Sequence, residues 1–216
     1  HTCAHILQAA LRHVLGDHVH QAGSYVDPYQ CRFDFNHFSA LTADELQQVE
    51  NYVNKVIMAA VPVTTEVLPI EEAKKRGAMA LFGEKYGDVV RVVSVGDYST
   101  EFCGGTHLTN SAQAGLFKIV SEASVSSGVR RLKAVTGIAV MSVLYDYKNT
   151  LEKTCAVLKA PNLDELAHRA ESVMAELREK DKKIESMEQA AANAQLGDIG
   201  AGCPEIAGLS LIHISE

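Results

Sequence analysis

Residues 101–107 read Glu-Phe-Cys-Gly-Gly-Thr-His and set a thiol and an imidazole four residues apart. Cysteine sulfur and histidine nitrogen are the donor atoms that zinc prefers in proteins. The two glycines between Cys103 and His107 tolerate the positive φ angles that a tight turn often needs. The stretch therefore predicts a turn that presents half of a metal site.

The other half opens the chain, where His1 and His5 stand in His-Thr-Cys-Ala-His. A spacing of four residues places both imidazoles on one face of a helix. Three histidines and one cysteine make a zinc-type ligand set, and we predict one zinc ion per chain. The predicted ligands are His1, His5, Cys103 and His107. Each half alone also has a simpler explanation. His1 and His5 could be a pair of histidines that binds no metal, and Cys103 could be buried as a small apolar side chain.

Composition narrows the class of protein. The chain has 216 residues, of which 47% are hydrophobic, so it can bury a core for one large domain with an appendage. No apolar run is long enough to cross a membrane. The five scattered cysteines argue against a disulfide framework and favour the reducing cytoplasm. A net charge of -7 disfavours general binding to phosphates, but it allows a local basic strip. We expect neither DNA nor a membrane as a partner.

Periodicity predicts an alternation of helices and strands. An amphipathic helix is expected over 1–16, and a second helix begins at Thr42, forms a capping box with Glu45 and stops before Pro62. Further elements are a short helix over 70–76 and strands over 19–26, 31–35, 63–68, 89–95, 116–122 and 130–135. Residues 83–87, Gly-Glu-Lys-Tyr-Gly, lack the ending of a phosphate loop and are interpreted as a reverse turn.

The composition shifts after Gly137. Residues 138–158 are expected to be helical, and Asn162 with Glu165 signals the start of a long polar helix. Apolar residues with 4,3 spacing over 166–194 favour a coiled coil or a helical hairpin. The predicted division is a zinc-dependent domain over 1–140, a helical arm over 141–195 and a linker over 196–208. Residues 209–216 are either the first strand of a missing C-terminal domain or, as we favour, translated adapter sequence. His1, which is not preceded by Met, is expected to be a truncation point.

Four segments together resemble a known family. They are residues 1–12, which open with His-Thr-Cys-Ala-His, residues 83–86, Gly-Glu-Lys-Tyr, residues 103–107, and residues 128–137, Gly-Val-Arg-Arg-Leu-Lys-Ala-Val-Thr-Gly. In order and spacing they are similar to the editing domain of alanyl-tRNA synthetases. The resemblance implies an α+β fold, in which a mixed or antiparallel β-sheet packs with helices and a long C-terminal helix or coiled-coil arm follows.

The resemblance also assigns roles to residues beyond the zinc ligands. Gln21 and Ser24 would border the site, with Gln21 positioning the substrate; otherwise Gln21 is an ordinary exposed strand residue. Arg130 or Arg131 would meet RNA phosphate or the terminal ribose, and only one can, because neighbours on a strand point to opposite faces. The alternative is a solvated pair. Catalysis would rest on Gln21, Cys103 and His107, and substrate would also contact Gly104, Gly105 and Thr106.

The implied activity is hydrolysis of the ester of tRNA(Ala) mischarged with serine or glycine. The parent enzyme ligates alanine to tRNA(Ala) with ATP and Mg²⁺, in an aminoacylation domain that this chain lacks, and the full-length protein is a candidate homo-oligomer. Relatives commonly have Thr where this chain has Ala4, which puts the discrimination of serine from alanine in question. Three alternatives stay open: a free-standing editing deacylase, the related domain of threonyl-tRNA synthetase, and a non-catalytic RNA-binding module that zinc stabilises.

Overall fold

The computed structural model describes residues 1–79, 86–201, 205–206 and 209–210, with side chains over 1–79 and 86–195. It divides into two compact units, His1–Asp146 and Tyr147–Glu216. The domain boundaries drawn from the sequence are not tested by this division and stay predictions. The described residues include no helix that is long and apolar enough to span a membrane.

Helices and strands alternate along the first unit before two long helices follow. The elements are α1 (Thr2–Leu15), β1 (Gln21–Val26), β2 (Cys31–Asn36), α2 (Ala43–Met58), β3 (Val63–Pro69), α3 (Ile70–Lys75), β4 (Val89–Val95), β5 (Ser99–Phe102), a 3₁₀ turn (Ser111–Ala114), β6 (Phe117–Ser126), β7 (Val129–Thr136), α4 (Ile138–Leu158), α5 (Leu166–Ala201), β8 (Glu205–Ile206) and β9 (Leu209–Ser210).

The paired strands of the described residues are all antiparallel, and they form two principal sheets. The larger has the order β1-β2-β7-β6, the smaller has the order β3-β4-β5, and β8 pairs with β9. The predicted fold class is confirmed: an α+β fold with antiparallel sheets and a long C-terminal helix.

The main core lies between the helices α1 and α2 and one face of the larger sheet. Ile6, Leu7 and Leu11 on α1 are fully buried, as are Phe33 and Phe35 on β2. Burying a side chain of this size contributes roughly 1.5–3 kcal/mol, so the apolar stripe of α1 anchors this helix. The start of α1, which bears His5 and follows directly after His1, is thereby held in place.

The local signals for helix ends are largely borne out. Gly16 follows α1 with a φ of 111°, which suits glycine. The capping box at the start of α2 is present in both directions, with the backbone N–H of Glu45 donating to Thr42 Oγ1 at 3.2 Å and the Thr42 N–H donating to Glu45 Oε2 at 2.8 Å. Losing such a cap costs about 0.5–2 kcal/mol.

One feature was not expected from the sequence. The strand β5 pairs with β4 immediately before the Cys103 turn, so the smaller sheet fixes where this turn begins. The predicted long polar helix is present as α5, and its apolar seam is exposed, with Leu177, Ile184 and Met187 each about half accessible. Most of the predicted reverse turn over 83–87 lies outside the described residues.

Candidate metal centre

Three of the four predicted ligands converge in the first unit. The donor atoms of His5, Cys103 and His107 all lie within 4.8 Å of one another, and they form the one such group among the described residues. His5 comes from the first turns of α1, whereas Cys103 and His107 come from the loop after β5. Packing of α1 against β4 and β5 brings the two segments together.

Thr2 sets the orientation of His107. Its Oγ1 lies 3.2 Å from His107 Nδ1 and accepts a hydrogen bond from the backbone N–H of Leu108 at 3.1 Å. The opposite ring nitrogen, Nε2, lies 3.3 Å from Cys103 Sγ. A hydroxyl oxygen can accept from both N–H groups, and a proton held at Nδ1 leaves the lone pair of Nε2 free for a metal. The buried threonine thus ties α1 to the ligand turn.

His5 is buried and has a nitrogen without a partner. The Nε2 atom of His5 is 3.7 Å from Glu101 Oε2. Its Nδ1 atom is buried and has no hydrogen-bond partner in the described structure. Leaving such a group unsatisfied costs about 1–3 kcal/mol, and a metal ion would satisfy it. Two imidazoles and a thiolate are a donor set that suits zinc. The residues present therefore fit the predicted ion.

Burial keeps both imidazoles neutral. Desolvation, followed by the charges of His107, the chain terminus and Arg91, lowers the pKa of His5 to about 3. Desolvation likewise lowers the pKa of His107 to about 4. The contact between His5 and Glu101 is therefore not an ion pair at neutral pH. Neutral imidazole is the form that binds metal, so the site is prepared for an ion without prior loss of protons from histidine.

His1 lies beside the cluster without joining it. Its ring centroid is 5.9 Å from that of His107, and a Cβ atom on Gly105 would approach the His1 ring to 2.6 Å. Glycine at position 105 is therefore required for this approach. Three protein ligands with an open position is the pattern of catalytic zinc, whereas four close the shell. The assignment of His1 as a fourth ligand stays a prediction.

Besides Thr2, two residues that shape the site were missed in the sequence. Arg91 Nη1 donates to the carbonyl oxygens of Cys103 at 2.7 Å and Gly105 at 2.6 Å, which fixes the backbone of the turn. Glu101 is buried, accepts a hydrogen bond from Ser99 Oγ at 2.6 Å, and has its pKa raised to about 7 by burial. The available signals were one cation within the valine-rich strand 89–95 and one carboxylate two residues before Cys103.

Cavities lie on two sides of the cluster. One, of about 430 Å³, is lined by His5, Cys103, Gln21 and Ser24 among others. Gln21 Nε2 donates to Ser24 Oγ at 3.2 Å, and both residues pair with the phenylalanines of β2 whose rings face the core. That register places them on the side of β1 that faces α1. Ala4 lines this cavity as well as the second one.

The remaining predicted contacts divide between the cavities. Gly104 and Gly105 line the cavity that holds Gln21. Thr106 and His107 line the second cavity, of about 510 Å³, on the side of the β1–β2 turn. The roles assigned to these residues stay predictions, although the structure brings all of them next to the cluster.

Arg130 and Arg131 line neither of these two cavities. Arg130 pairs with Glu122, and Arg131 donates through Nε and Nη2 to the two oxygens of Asp34, at 2.7 Å each. The different partners agree with the expectation that the two side chains point to opposite faces of the sheet. Both guanidinium groups already hold a carboxylate, so phosphate would have to compete for either of them.

Comparison with known protein families gives the class of protein that the chain resembles. The family described as "Threonyl and Alanyl tRNA synthetase second additional domain" matches residues 90–133, a segment that includes most of β4, all of β5 and the turn that holds Cys103 and His107. The chain therefore contains sequence of a domain found in these two kinds of synthetase.

Comparison with individual proteins narrows the class. The chain is 49% identical over 195 residues to the alanine-tRNA ligase of Fervidobacterium nodosum, covering 90% of the chain and 22% of that protein. It is 48% and 46% identical over 212 residues to those of Acetivibrio thermocellus and Bacillus subtilis, covering 98% of the chain and 24% of each. The chain is a homologue of the alanine-tRNA ligases, and it spans about a quarter of the length of these curated relatives.

Proposed function

We propose that this chain is the editing part of an alanine-tRNA ligase and hydrolyses the ester of tRNA(Ala) mischarged with serine or glycine. The observation that carries the proposal is the convergence of His5, Cys103 and His107 beside a cavity lined by Gln21. The similarity of the chain to alanine-tRNA ligases supports tRNA(Ala) as the RNA partner. A synthetic pocket rejects amino acids of nearly equal size poorly, so a second hydrolytic site is needed.

The residues of the chain have separable tasks in this proposal. Zinc, when bound, supplies Lewis acidity that polarises an ester carbonyl and acidifies water. His5, Cys103 and His107 would hold the ion, with His1 as the proposed fourth ligand. Thr2 and Arg91 fix the ligand turn through hydrogen bonds. They therefore position the ligands, and Arg91 also lines the cavity that holds Gln21.

The cavity that holds Gln21 is the proposed site of the ester. The Gln21 amide lies on the same side of β1 as Ser24, where it can hydrogen-bond a carbonyl or hydroxyl of the substrate. Gly104 and Gly105 contribute backbone without side chains, so substrate can approach the turn closely. Thr106 is a hydroxyl on the other side of the cluster. Ala4 leaves room in both cavities and offers no hydrogen bond to serine.

The wider role is proposed from the same relatives. The complete protein would attach alanine to tRNA(Ala) with ATP and Mg²⁺ through a region outside this chain, and it would act in the cytoplasm. Arg130 or Arg131 would contact the RNA after exchange of its carboxylate partner. The exposed apolar seam of α5 suits self-association of the full-length protein.

Deacylation of mischarged tRNA tests the proposal directly. Seryl-tRNA(Ala) and glycyl-tRNA(Ala) are incubated with the chain before and after chelation, and with zinc restored. We expect hydrolysis that chelator removes and zinc returns. Cys103→Ala and His107→Ala should lose both zinc and activity, because each change removes a donor atom. Lys55→Gln, on the outer side of α2, is the control.

Two other results would refute the proposal. Stoichiometric zinc without hydrolysis would favour the non-catalytic module, in which the ion only stabilises the fold. Full hydrolysis by the Cys103→Ala and His107→Ala variants would show that the chemistry does not depend on this cluster.

A further inference from the structure

One face of the larger sheet lies opposite the main core within the first unit; its Tyr25 and Lys133 are exposed, its Arg32 and Arg131 are half-buried, and its Asp34 is buried. Tyr25, Arg32 and Lys133 lie in one row across β1, β2 and β7, and Asp34 and Arg131 lie in the next row. We call these five residues the open face. Along β7 the alternate residues Leu132 and Ala134 are buried in the core, while Lys133 is exposed. The alternation shows that the open face points away from α1 and α2.

The open face is basic although the chain is acidic. It has three cations and one carboxylate, in a chain whose net charge is -7. Asp34 is held by Arg131 at 2.7 Å, and its distance to Arg32 Nε is 4.0 Å. Lys133 forms no ion pair with any described carboxylate. The charges of Arg32 and Lys133 are therefore largely uncompensated.

An aromatic ring accompanies these charges. Tyr25 is 52% exposed, and the guanidinium carbon of Arg32 lies 5.6 Å from the centre of its ring. The neighbouring strand β6 presents the small side chains of Ser121 and Ala123, which pair with Lys133 and Arg131 and leave the surface flat. Aromatic rings with adjacent arginine are the groups on which unpaired bases stack.

We propose that the open face binds the phosphate backbone of the acceptor end of an RNA. Charge complementarity selects this partner, because uncompensated Arg and Lys beside an exposed ring match phosphates and bases. A protein partner would require an apolar centre, whereas Val129 and Val135, the valines on this side of β7, are half-buried. The inference rests on the proposed function and adds the surface that holds its RNA substrate.

The strand β1 connects this surface to the metal centre. It is an edge strand of the sheet. Ser24 lines the cavity beside the ligand cluster, and the next residue, Tyr25, lies on the open face. An RNA bound on the open face can turn around this edge, so that its single-stranded 3′ end enters the cavity. Binding and hydrolysis would then use opposite sides of one strand.

Neutralising variants of the full chain test the proposal. The variants are Arg32→Gln, Lys133→Gln and the double variant, with Lys55→Gln on α2 as the matched control for loss of one exposed positive charge. The probe is an RNA hairpin that reproduces the acceptor stem and single-stranded 3′ end of tRNA(Ala). Binding of the uncharged hairpin is measured by fluorescence anisotropy at several salt concentrations, and hydrolysis of its seryl ester is measured in parallel.

We expect the double variant to bind about tenfold more weakly, and the slope of log affinity against log salt to fall by about one for each charge removed. KM for the ester should rise while kcat stays unchanged, because the chemistry lies on the other side of β1. Unchanged thermal transitions would show that the fold is retained. Lys133→Gln, at an exposed position, keeps the test informative if Arg32→Gln folds poorly.

Several outcomes would overturn the inference. One is an unchanged RNA affinity and salt slope in the double variant. Another is a loss of RNA affinity in Lys55→Gln as large as that in the single variants of the open face, because it would reveal a general charge effect. Unchanged RNA binding with altered sedimentation would instead identify the open face as a protein contact. If the wild-type chain binds the hairpin with the expected salt slope but never hydrolyses it, the proposed function fails while the binding surface stands.

Discussion

Replacing the hydroxyl of Thr2 by a methyl group, in Thr2→Val, should weaken zinc binding without removing any ligand. Thr2 is buried, and its Oγ1 serves both His107 Nδ1 and the backbone N–H of Leu108. Valine has nearly the same shape and is also β-branched, so α1 should persist. The substitution therefore isolates the two hydrogen bonds from packing.

The magnitude follows from these two contacts. The Leu108 N–H loses its acceptor, and an unsatisfied donor in a partly buried site costs about 1–3 kcal/mol. The His107 ring loses the partner that orients it, and removing such a partner typically lowers metal affinity by about 10–100-fold. We therefore expect a lower thermal transition for the metal-free protein and a zinc Kd raised by about one to two orders of magnitude.

Competition with a chromophoric chelator measures the zinc Kd, and Thr2→Ser is the matched control because it restores the hydroxyl without the methyl group. The serine variant should bind zinc within a few-fold of the wild type. If Thr2→Val lowered the thermal transition but kept the wild-type zinc affinity, Thr2 would be a structural residue only. Equal weakening in Thr2→Ser would assign the effect to the lost methyl packing.

Three further predictions concern selectivity, the arm and acid. Ala4→Thr should raise the ratio of kcat/KM for seryl-tRNA to that for alanyl-tRNA, because residue 4 lines both cavities and a hydroxyl there can contact serine; an unchanged ratio would place discrimination elsewhere. Truncation near Pro161 should leave an active domain, since the predicted ligands and Gln21 precede it, and a lost thermal transition would contradict this. The metal-free chain should lose stability as pH falls from about 6.5 towards about 3, because the pKa of His5 is lowered in the fold and the unfolded chain therefore binds the proton first. Denaturant titrations across that range measure the free energy of unfolding. A free energy of unfolding that did not change with pH would contradict the prediction.

Local signals in the sequence were sufficient for much of the fold. The capping box between Thr42 and Glu45 depends on contacts three residues apart, and the strand over 89–95 depends on a run of β-branched residues. Such signals involve residues within one turn or one strand, so they can be recognised in the sequence without knowledge of the rest of the fold. The short strand Ser99–Phe102 was missed because its pairing with β4 rather than its own composition stabilises it.

The residue types of the proposed ligands could also be predicted from the sequence alone. Helical spacing predicts that two imidazoles share a face, and a Gly-Gly turn predicts that Cys103 and His107 converge. What the spacing could not decide is how many ligands meet. In the structure His5 joins the turn within 4.8 Å, whereas His1 lies against Gly105 beside it. That difference depends on how α1 packs on the ends of β4 and β5.

Only the tertiary structure revealed the groups that hold the ligands. Thr2 reaches His107, which is 105 residues away along the chain, and Arg91 reaches the carbonyl of Gly105 from a neighbouring strand. The partners of the two arginines, Glu122 and Asp34, likewise follow from sheet register and cannot be deduced from the Arg-Arg pair itself. Sequence patterns record contacts within an element, where the backbone geometry repeats. Contacts between elements depend on a packing arrangement that the whole core determines, so they have no periodic signal in the chain.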